Sequence, residues 1–409
     1  MNLLRAIPPK KQRQHGAALM VMLVILILGI TTALVNSLSS SAIQSARQES
    51  SAIAMAQAKD ALIAFAVTYG DIHPALTYHT FLPCPDIDAT GITGDGIEHG
   101  TCGLTDANTV GRLPWKSLEL PALRDGANEC LWYAVSGNYK NNPKTATMNW
   151  DNLGKLRLYA TDGNEIAPNE IVAMIMAPGA VSYTATQDRS GTGAPICGGN
   201  FTPSAYLDND TVHNINNADI SVGKFILPHQ HRDANDNVTL SINDQFIYIT
   251  RQDIWSALQK RSDFAAQIGL LLDDVHFRLQ VETGHVETIT IAGTKGTDNL
   301  NCAAISNAAN QRFCNNWKEM LLLTQLSTPA PITINSASTA ACNRVLVFGG
   351  QKAAWQARIS ITDKGNPDNY LEGVNLTSFA IPTASSSDFI GTLNFSAINP
   401  SADLLRCLP

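Results

Sequence analysis

Residues 15–38 read HGAALMVMLVILILGITTALVNSL. The 22 residues 17–38 carry no charge, and the first charge after Arg13 is Arg47. An uncharged apolar run of that length can cross a bilayer's hydrocarbon core, which needs roughly 20 residues. Ahead of it lies MNLLRAIPPKKQRQHG, with Arg5, Lys10, Lys11 and Arg13 and no acid. Excess Lys/Arg holds its flank in the cytoplasm, so the rest of the chain is predicted to face outward. A conventional signal peptide ends its apolar region after roughly 7–15 residues, in a small-residue cleavage site. This run is longer, so it reads as a segment that is kept.

The helix is predicted to continue. Residues 39–69 contain no Pro and no Gly and are rich in Ala, Ser, Gln and Lys. Apolar residues at Ile43, Ala46, Ile53, Ala54, Ala58, Leu62, Phe65, Ala66 and Tyr69 mostly recur every three or four positions. That places them on one helical face. Gly70 and Pro74 are the expected stop. One helix over residues 17–69 would be about 80 Å long at 1.5 Å per residue.

The junction itself, basic residues, Gly16, then Ala17 and an unbroken apolar run, resembles the signal of type IV prepilins and type II secretion pseudopilins. The resemblance implies cleavage by a prepilin peptidase between Gly16 and Ala17, methylation of the new N-terminus, and retention of the apolar segment as the first half of a pilin-type helix. Repeating shaft subunits of that family carry Glu at mature position five, where this chain has Val21. Some PilX-type minor pilins and the large K-type pseudopilin lack that Glu as well. Their N-termini resemble Gln14-His15-Gly16-Ala17-Ala18-Leu19. A carboxylate in lipid is costly without a partner, and a subunit with no neighbour above it has no amine to neutralise. The resemblance therefore implies an initiating or capping subunit. Its partners would be other pilins or pseudopilins through the N-terminal helix, the prepilin peptidase, and the inner membrane.

The expected division is a cleaved leader at 1–16, a long helix at 17–69 with a transmembrane segment at 17–38, a first head module at 70–215 and a second at 216–409. The fold class is α+β: a long N-terminal helix packed on a large head rich in antiparallel sheet. Strands are predicted at 171–176, 246–250, 276–281, 287–291, 344–348 and 357–361, and helices at 253–272 and 307–323. A weak repeat links the halves. The run 171–179, Gln187-Asp188-Arg189 and Tyr206-Leu207-Asp208 is matched by 344–350, Gln356-Ala357-Arg358 and Tyr370-Leu371-Glu372. Three short blocks in one order suggest a duplicated module.

Only 15% of residues are charged, with many Asn, Thr, Ser and Gly, which suits an extracytoplasmic surface. Removing the leader takes the net charge from −7 to −11, so nucleic acid is not an expected partner. All eight cysteines lie outside the apolar run. An even count in an exported chain predicts disulfides. Cys84–Cys102 and Cys302–Cys314 are the natural short loops, and Cys407 is expected to staple the C-terminal end. Zinc at cysteine would want CxxC pairs, and there are none.

Distinctive words follow the helix: Leu82-Pro83-Cys84-Pro85-Asp86, Gly111-Arg112-Leu113-Pro114-Trp115, Leu123-Arg124-Asp125-Gly126 and Leu131-Trp132-Tyr133-Ala134-Val135-Ser136. Their order is similar to that in a group of prepilin-like proteins, a likeness that brings no ligand with it. Asp86, Asp88 and Asp95 beside Gly94 and Gly96 are candidate calcium ligands, because hard cations take several oxygens. The alternative is a loop whose carboxylates cap backbone N–H groups. Asp208, Asn209 and Asp210 form a weaker candidate, and Asp233, Asn235 and Asn237 a third. His229 and His231, at i and i+2, share one side of a strand, but two ligands alone make a weak metal site. No GxSxG, HExxH or phosphate-loop motif occurs, so an enzyme is not expected.

The expected role is a minor pilin or pseudopilin that initiates or caps a type IV pilus or type II secretion pseudopilus. The alternatives are a tip-displayed adhesin or substrate-binding module, and a membrane-anchored periplasmic enzyme. The expected place is the inner membrane, with the head in the periplasm, and the cell surface or filament tip after assembly.

Overall fold

The structure is a computed structural model. It describes residues 15–73, 80–87, 95–182, 186–191, 193–281, 302–305, 307–379 and 388–409. The basic residues of the leader, Asp88 and the strand expected at 287–291 lie outside these.

Helix α1, His15–Ile72, runs unbroken for 58 residues, or about 87 Å. It passes through Gly70 and ends three residues later than expected. From Leu19 to Ile30 its large apolar side chains are exposed, and nothing packs on them. Farther along, Ala54, Met55, Ala58, Leu62, Ala66 and Tyr69 are buried in the head. Ile43 and Ile53, expected on that face, are exposed: Ile43 lies before the head begins near Ser51, and Ile53 points away from the face of Ser51, Ala54, Met55 and Ala58. Among the described residues, α1 is the one helix long and apolar enough to cross a membrane. Its stretch Ala42–Ile72 has a mean hydropathy of 1.2, and about a third of its most apolar part is covered by the head. The bare stretch Leu19–Ala33 is apolar over a shorter length.

The first sheet contains β1 (Thr109–Arg112), β2 (Trp132–Val135), β3 (Leu156–Tyr159), β4 (Glu165–Ala177), β7 (Lys224–Ile226) and β10 (Gln245–Thr250). The path β1-β2-β4-β3-β7 is closed on the far side of β4 by β10. One face of β4, through Val172, Ala173, Ile175 and Ala177, joins the core that receives α1. The other, through Ile171, Met174 and Met176, is covered by Tyr206, Leu207 and Phe225. A strand buried on both faces reads as a continuous apolar run, which is why 171–176 shows no alternation.

Between β4 and β10 lie two small ribbons, β5 (Asn209–Asp210) with β6 (Ile215–Asn216), and β8 (His229–Arg232) with β9 (Val238–Ile242). Helices α2 (Arg251–Gln259), α3 (Ser262–Val281) and α4 (Ala308–Trp317) follow. The second sheet has the order β13-β11-β12-β14, with β11 Leu321–Ile334, β12 Ala337–Phe348, β13 Ile390–Gly391 and β14 Leu404–Leu408. Asn335 and Ser336, both at positive φ, form the tight turn of the β11–β12 hairpin. Short helices α5 (Ile361–Gly365) and α6 (Gly373–Phe379) complete the chain.

Several expectations change. Residues 276–281 belong to α3, and 357–361 form an irregular segment leading into α5. The helix expected at 253–272 is broken into α2 and α3 at Lys260 and Arg261, and the one expected at 307–323 gives way to β11 at Leu321. The module boundary expected at 215/216 falls inside the first sheet, because β7 pairs with β3 and β10 with β4. The chain leaves the first sheet at Thr250, which caps α2.

The three-block repeat has a structural counterpart. In the first half, Arg189 Nη1 donates to Gly179 O at 2.7 Å, its guanidinium lies 5.0 Å from the Tyr206 ring, and Gln187 bonds Asp208 at 3.0 Å. In the second half, Arg358 Nη1 donates to Gly350 O at 3.0 Å, its guanidinium lies 4.2 Å from the Tyr370 ring, and Gln356 bonds Glu372 at 2.6 Å. A second clip recurs beyond the matched blocks. Asn217 Nδ2 donates to Asp244 at 2.8 Å and Asn217 Oδ1 accepts from Ile226 N–H; Asn375 does the same with Asp403, at 2.8 Å, and Ile390. Asp244 and Asp403 each directly precede a closing strand, β10 and β14. Helix α1 packs on β4 and β10 as α3 packs on β12 and β14. One arrangement is used twice around a shared core.

Four disulfides staple the head: Cys84–Cys102, Cys130–Cys197, Cys302–Cys314 and Cys342–Cys407. Both short loops form as expected, and Cys407 ties β14 to β12.

Candidate metal centre

Asp210 ends β5, and its Oδ1 accepts the backbone N–H groups of Val212 and His213 at 2.8 and 3.2 Å. This Asx-type turn fixes the carboxylate and folds the chain back, helped by Asn214 at φ +56°. His213 thereby returns to Asp210, its Nδ1 2.6 Å from Oδ2. Strand β8 supplies the other side. Alternation along a strand puts His229 and His231 on one face, and pairing with β9 holds them there. His229 Nε2 lies 2.9 Å from His231 Nε2 and 3.1 Å from Asp210 Oδ2, and His231 Nε2 lies 3.4 Å from Asp210 Oδ1. The Asp210 side chain is fully buried, that of His229 nearly so, and those of His213 and His231 are about a quarter exposed. The rings meet at 43–86° to one another, converging from three directions.

Hydrogen bonding sets the protons. His229 Nδ1 lies 2.7 Å from the Leu227 carbonyl, which can only accept, so Nδ1 carries a hydrogen, and in the neutral ring Nε2 then presents its lone pair inward. Burial pushes the Asp210 carboxyl up, but hydrogen bonds from the His213 ring and from the N–H groups of His213 and Val212 outweigh it and hold the group below its ordinary value. The cluster is thus an anionic oxygen and an inward lone pair, with two further imidazoles at contact distance. Such a donor set can hold a cation or a network of shared protons.

The calcium candidates are placed differently. Asp86 Oδ2 accepts Gly96 N–H, and Asp95 Oδ2 accepts the N–H groups of Ile196 and Cys197 at 2.8 and 2.9 Å. Both carboxylates cap backbone N–H groups through Oδ2. Asp208 is held by Gln187 and by Asn243 N–H, and Asp233 caps Asn235 and Asn237. Gly16 and Ala17 lie in the first turn of α1.

His213 was not singled out in the sequence, and Asp210 was read only with its neighbours in a calcium set. The available signal was Asp-x-x-His followed by His-x-His within 22 residues. The 15 residues between the pairs hide it until β6 and β7 fold them together.

No protein-family model, no curated protein and no solved structure matches this chain.

Proposed function

We propose that the chain is a minor pilin or pseudopilin, a subunit that initiates or caps a type IV pilus or a type II secretion pseudopilus. The observation that carries this reading is the two-part character of α1. One unbroken helix leaves the apolar stretch Leu19–Ala33 bare and builds its last third into the head. A helix apolar all round with nothing packed on it needs lipid or other helices as its surroundings. In this reading the bare stretch sits in the inner membrane before assembly and among neighbouring helices afterwards. Four disulfides suit a head that matures in the periplasm.

Val21 stands on the bare stretch where a shaft subunit would carry Glu. The head is also large for a repeating position. Both favour the tip. The role is structural and not enzymatic.

Intact mass of the protein from its native host tests the class. The expected mature chain begins at a methylated Ala17, and Gly16→Val blocks its formation. A mature protein that still begins at Met1 would sink the proposal. Immunogold labelling tests position: sparse label at filament ends is expected, and dense label along the shaft would remove the tip role.

A further inference from the structure

We propose that Asp210, His213, His229 and His231 bind one divalent transition-metal ion of the zinc class, in a closed four-ligand site. This stands independently of the filament reading.

Geometry comes first. One ligand atom from each residue can be chosen so that all four lie within 4.8 Å of one another. Zinc bonds to imidazole nitrogen and carboxylate oxygen are about 2.0–2.1 Å, so the edges of a tetrahedron around the ion are about 3.3 Å. The separations seen, 2.6 and 3.1 Å from Asp210 Oδ2 to His213 and His229, 3.4 Å from Asp210 Oδ1 to His231 and 2.9 Å between the His229 and His231 Nε2 atoms, lie near that value, with both carboxylate oxygens turned to the site. Three nitrogens and one carboxylate oxygen suit a borderline ion and not a hard one such as calcium.

Proton accounting comes second. His229 Nε2 is an acceptor, because its Nδ1 hydrogen goes to Leu227. Asp210 Oδ2 is also an acceptor, yet it lies 3.1 Å from that nitrogen. With a neutral His229 ring the two acceptors repel unless a proton or a metal cation lies between them. His213 Nδ1–H serves Oδ2 from another direction. His231 has one Nε2 hydrogen at most, and it cannot serve both His229 and Asp210 fully. A cation at the centre satisfies all four groups at once. The Leu227 carbonyl and the turn N–H groups then act as the outer partners that orient metal ligands.

Placement comes third. The ligands join two separate ribbons, β5–β6 and β8–β9. Isolated two-stranded ribbons are marginal in water. Beneath these two, among the described residues, lies a small apolar cluster of Ile215, Ile226 and Ile242 with Tyr159 and Leu240 packed against it. A metal cross-link supplies what that cluster lacks. With four protein ligands there is no open position, which marks a structural site and not a catalytic one.

The test uses the full chain in detergent, carrying no histidine tag, stripped by chelator and titrated with zinc chloride against a chromophoric competitor. One equivalent is expected to bind and to raise the melting temperature. His213→Gln combined with His231→Gln changes two partly exposed side chains and keeps them polar, so the head should fold. Its zinc affinity should fall at least tenfold, and its melting temperature should no longer respond to zinc. Cobalt substitution should give the intense visible band of a tetrahedral ion. Failure to bind one equivalent, or unchanged affinity in the double variant, would overturn the proposal. A weak octahedral cobalt spectrum would overturn the closed four-ligand geometry.

Discussion

At Asp403 the carboxyl is buried, Asn375 Nδ2 donates to Oδ2, the Gly350 backbone also bonds the carboxyl, and among the described residues Oδ1 has no close hydrogen-bond partner. Burial pushes this group up to about 7. An unfolded aspartate titrates near 3.9. The folded state therefore holds the proton more tightly than the unfolded state. The resulting stability is fully present below about pH 4 and is lost as pH rises to about 7. Asp403→Asn should remove this slope, leaving a variant that gains on the wild type as pH rises from 5 to 7.5. Urea unfolding at several pH values would check it, and parallel curves for the two proteins would refute it. Gly126 acts through space and not charge. A Cβ there would meet the Arg47 backbone at 2.2 Å, and its N–H donates to Ser51 Oγ at 2.9 Å. Gly126→Ala should push the loop off α1, cost about 1–3 kcal/mol, and speed hydrogen exchange near Ser51. Unaltered exchange there would mean that the contact is dispensable.

Elements differ in how openly their sequences announce them. Helix α1 was legible because its causes are local: an uncharged run, then spaced apolar residues with no breaker. Strands β4 and β12 were legible as apolar runs with glycines beyond. Residues 276–281 read as β-like, yet they continue α3, whose Phe264, Ile268, Leu271, Leu272 and Val275 are buried at helical spacing. Packing against the second sheet decides that segment, and no window of six residues contains that information. The expected boundary at 215/216 cuts through the first sheet for a related reason. Strand β10 belongs to a sheet whose partner strand lies some 70 residues earlier. The metal-ligand cluster is similarly non-local, since only the His229–His231 pair is adjacent enough to notice. At this scale the test is Leu62, fully buried where α1 enters the core. Leu62→Ala should cost about 2–5 kcal/mol and should leave Gly16 cleavage intact, because processing depends on the other end of the same helix. Loss of cleavage would show that the two ends are not independent.

The whole molecule is one arrangement repeated, and its staples differ in reach. Cys302–Cys314 closes 12 residues and Cys342–Cys407 closes 65. The chain-entropy model assigns about 3 kcal/mol to the first and about 4 to the second. Replacing the second pair with alanine should therefore lower the melting temperature more than replacing the first, and the reverse order would count against an entropic origin. All eight cysteines are paired, so thiol titration of the denatured, unreduced protein should find none. Four or more reactive thiols would contradict the pairing.

The way α1 enters the head also has a mechanical meaning. The head grips only the last part of the rod, and the grips lie side by side along its axis. Lys59 reaches Asp253 and the Tyr248 carbonyl at 3.1 and 3.0 Å, Arg261 forks onto Asp71 at 2.7 and 2.9 Å, and Gly126 rests on Arg47. Traction on the bare end pulls along the rod, so these grips are loaded together in shear. A force across the rod would instead peel them apart one after another. The head is thus built to hold when hauled lengthwise, and detachment under tension is governed by the unfolding barrier and not by equilibrium stability.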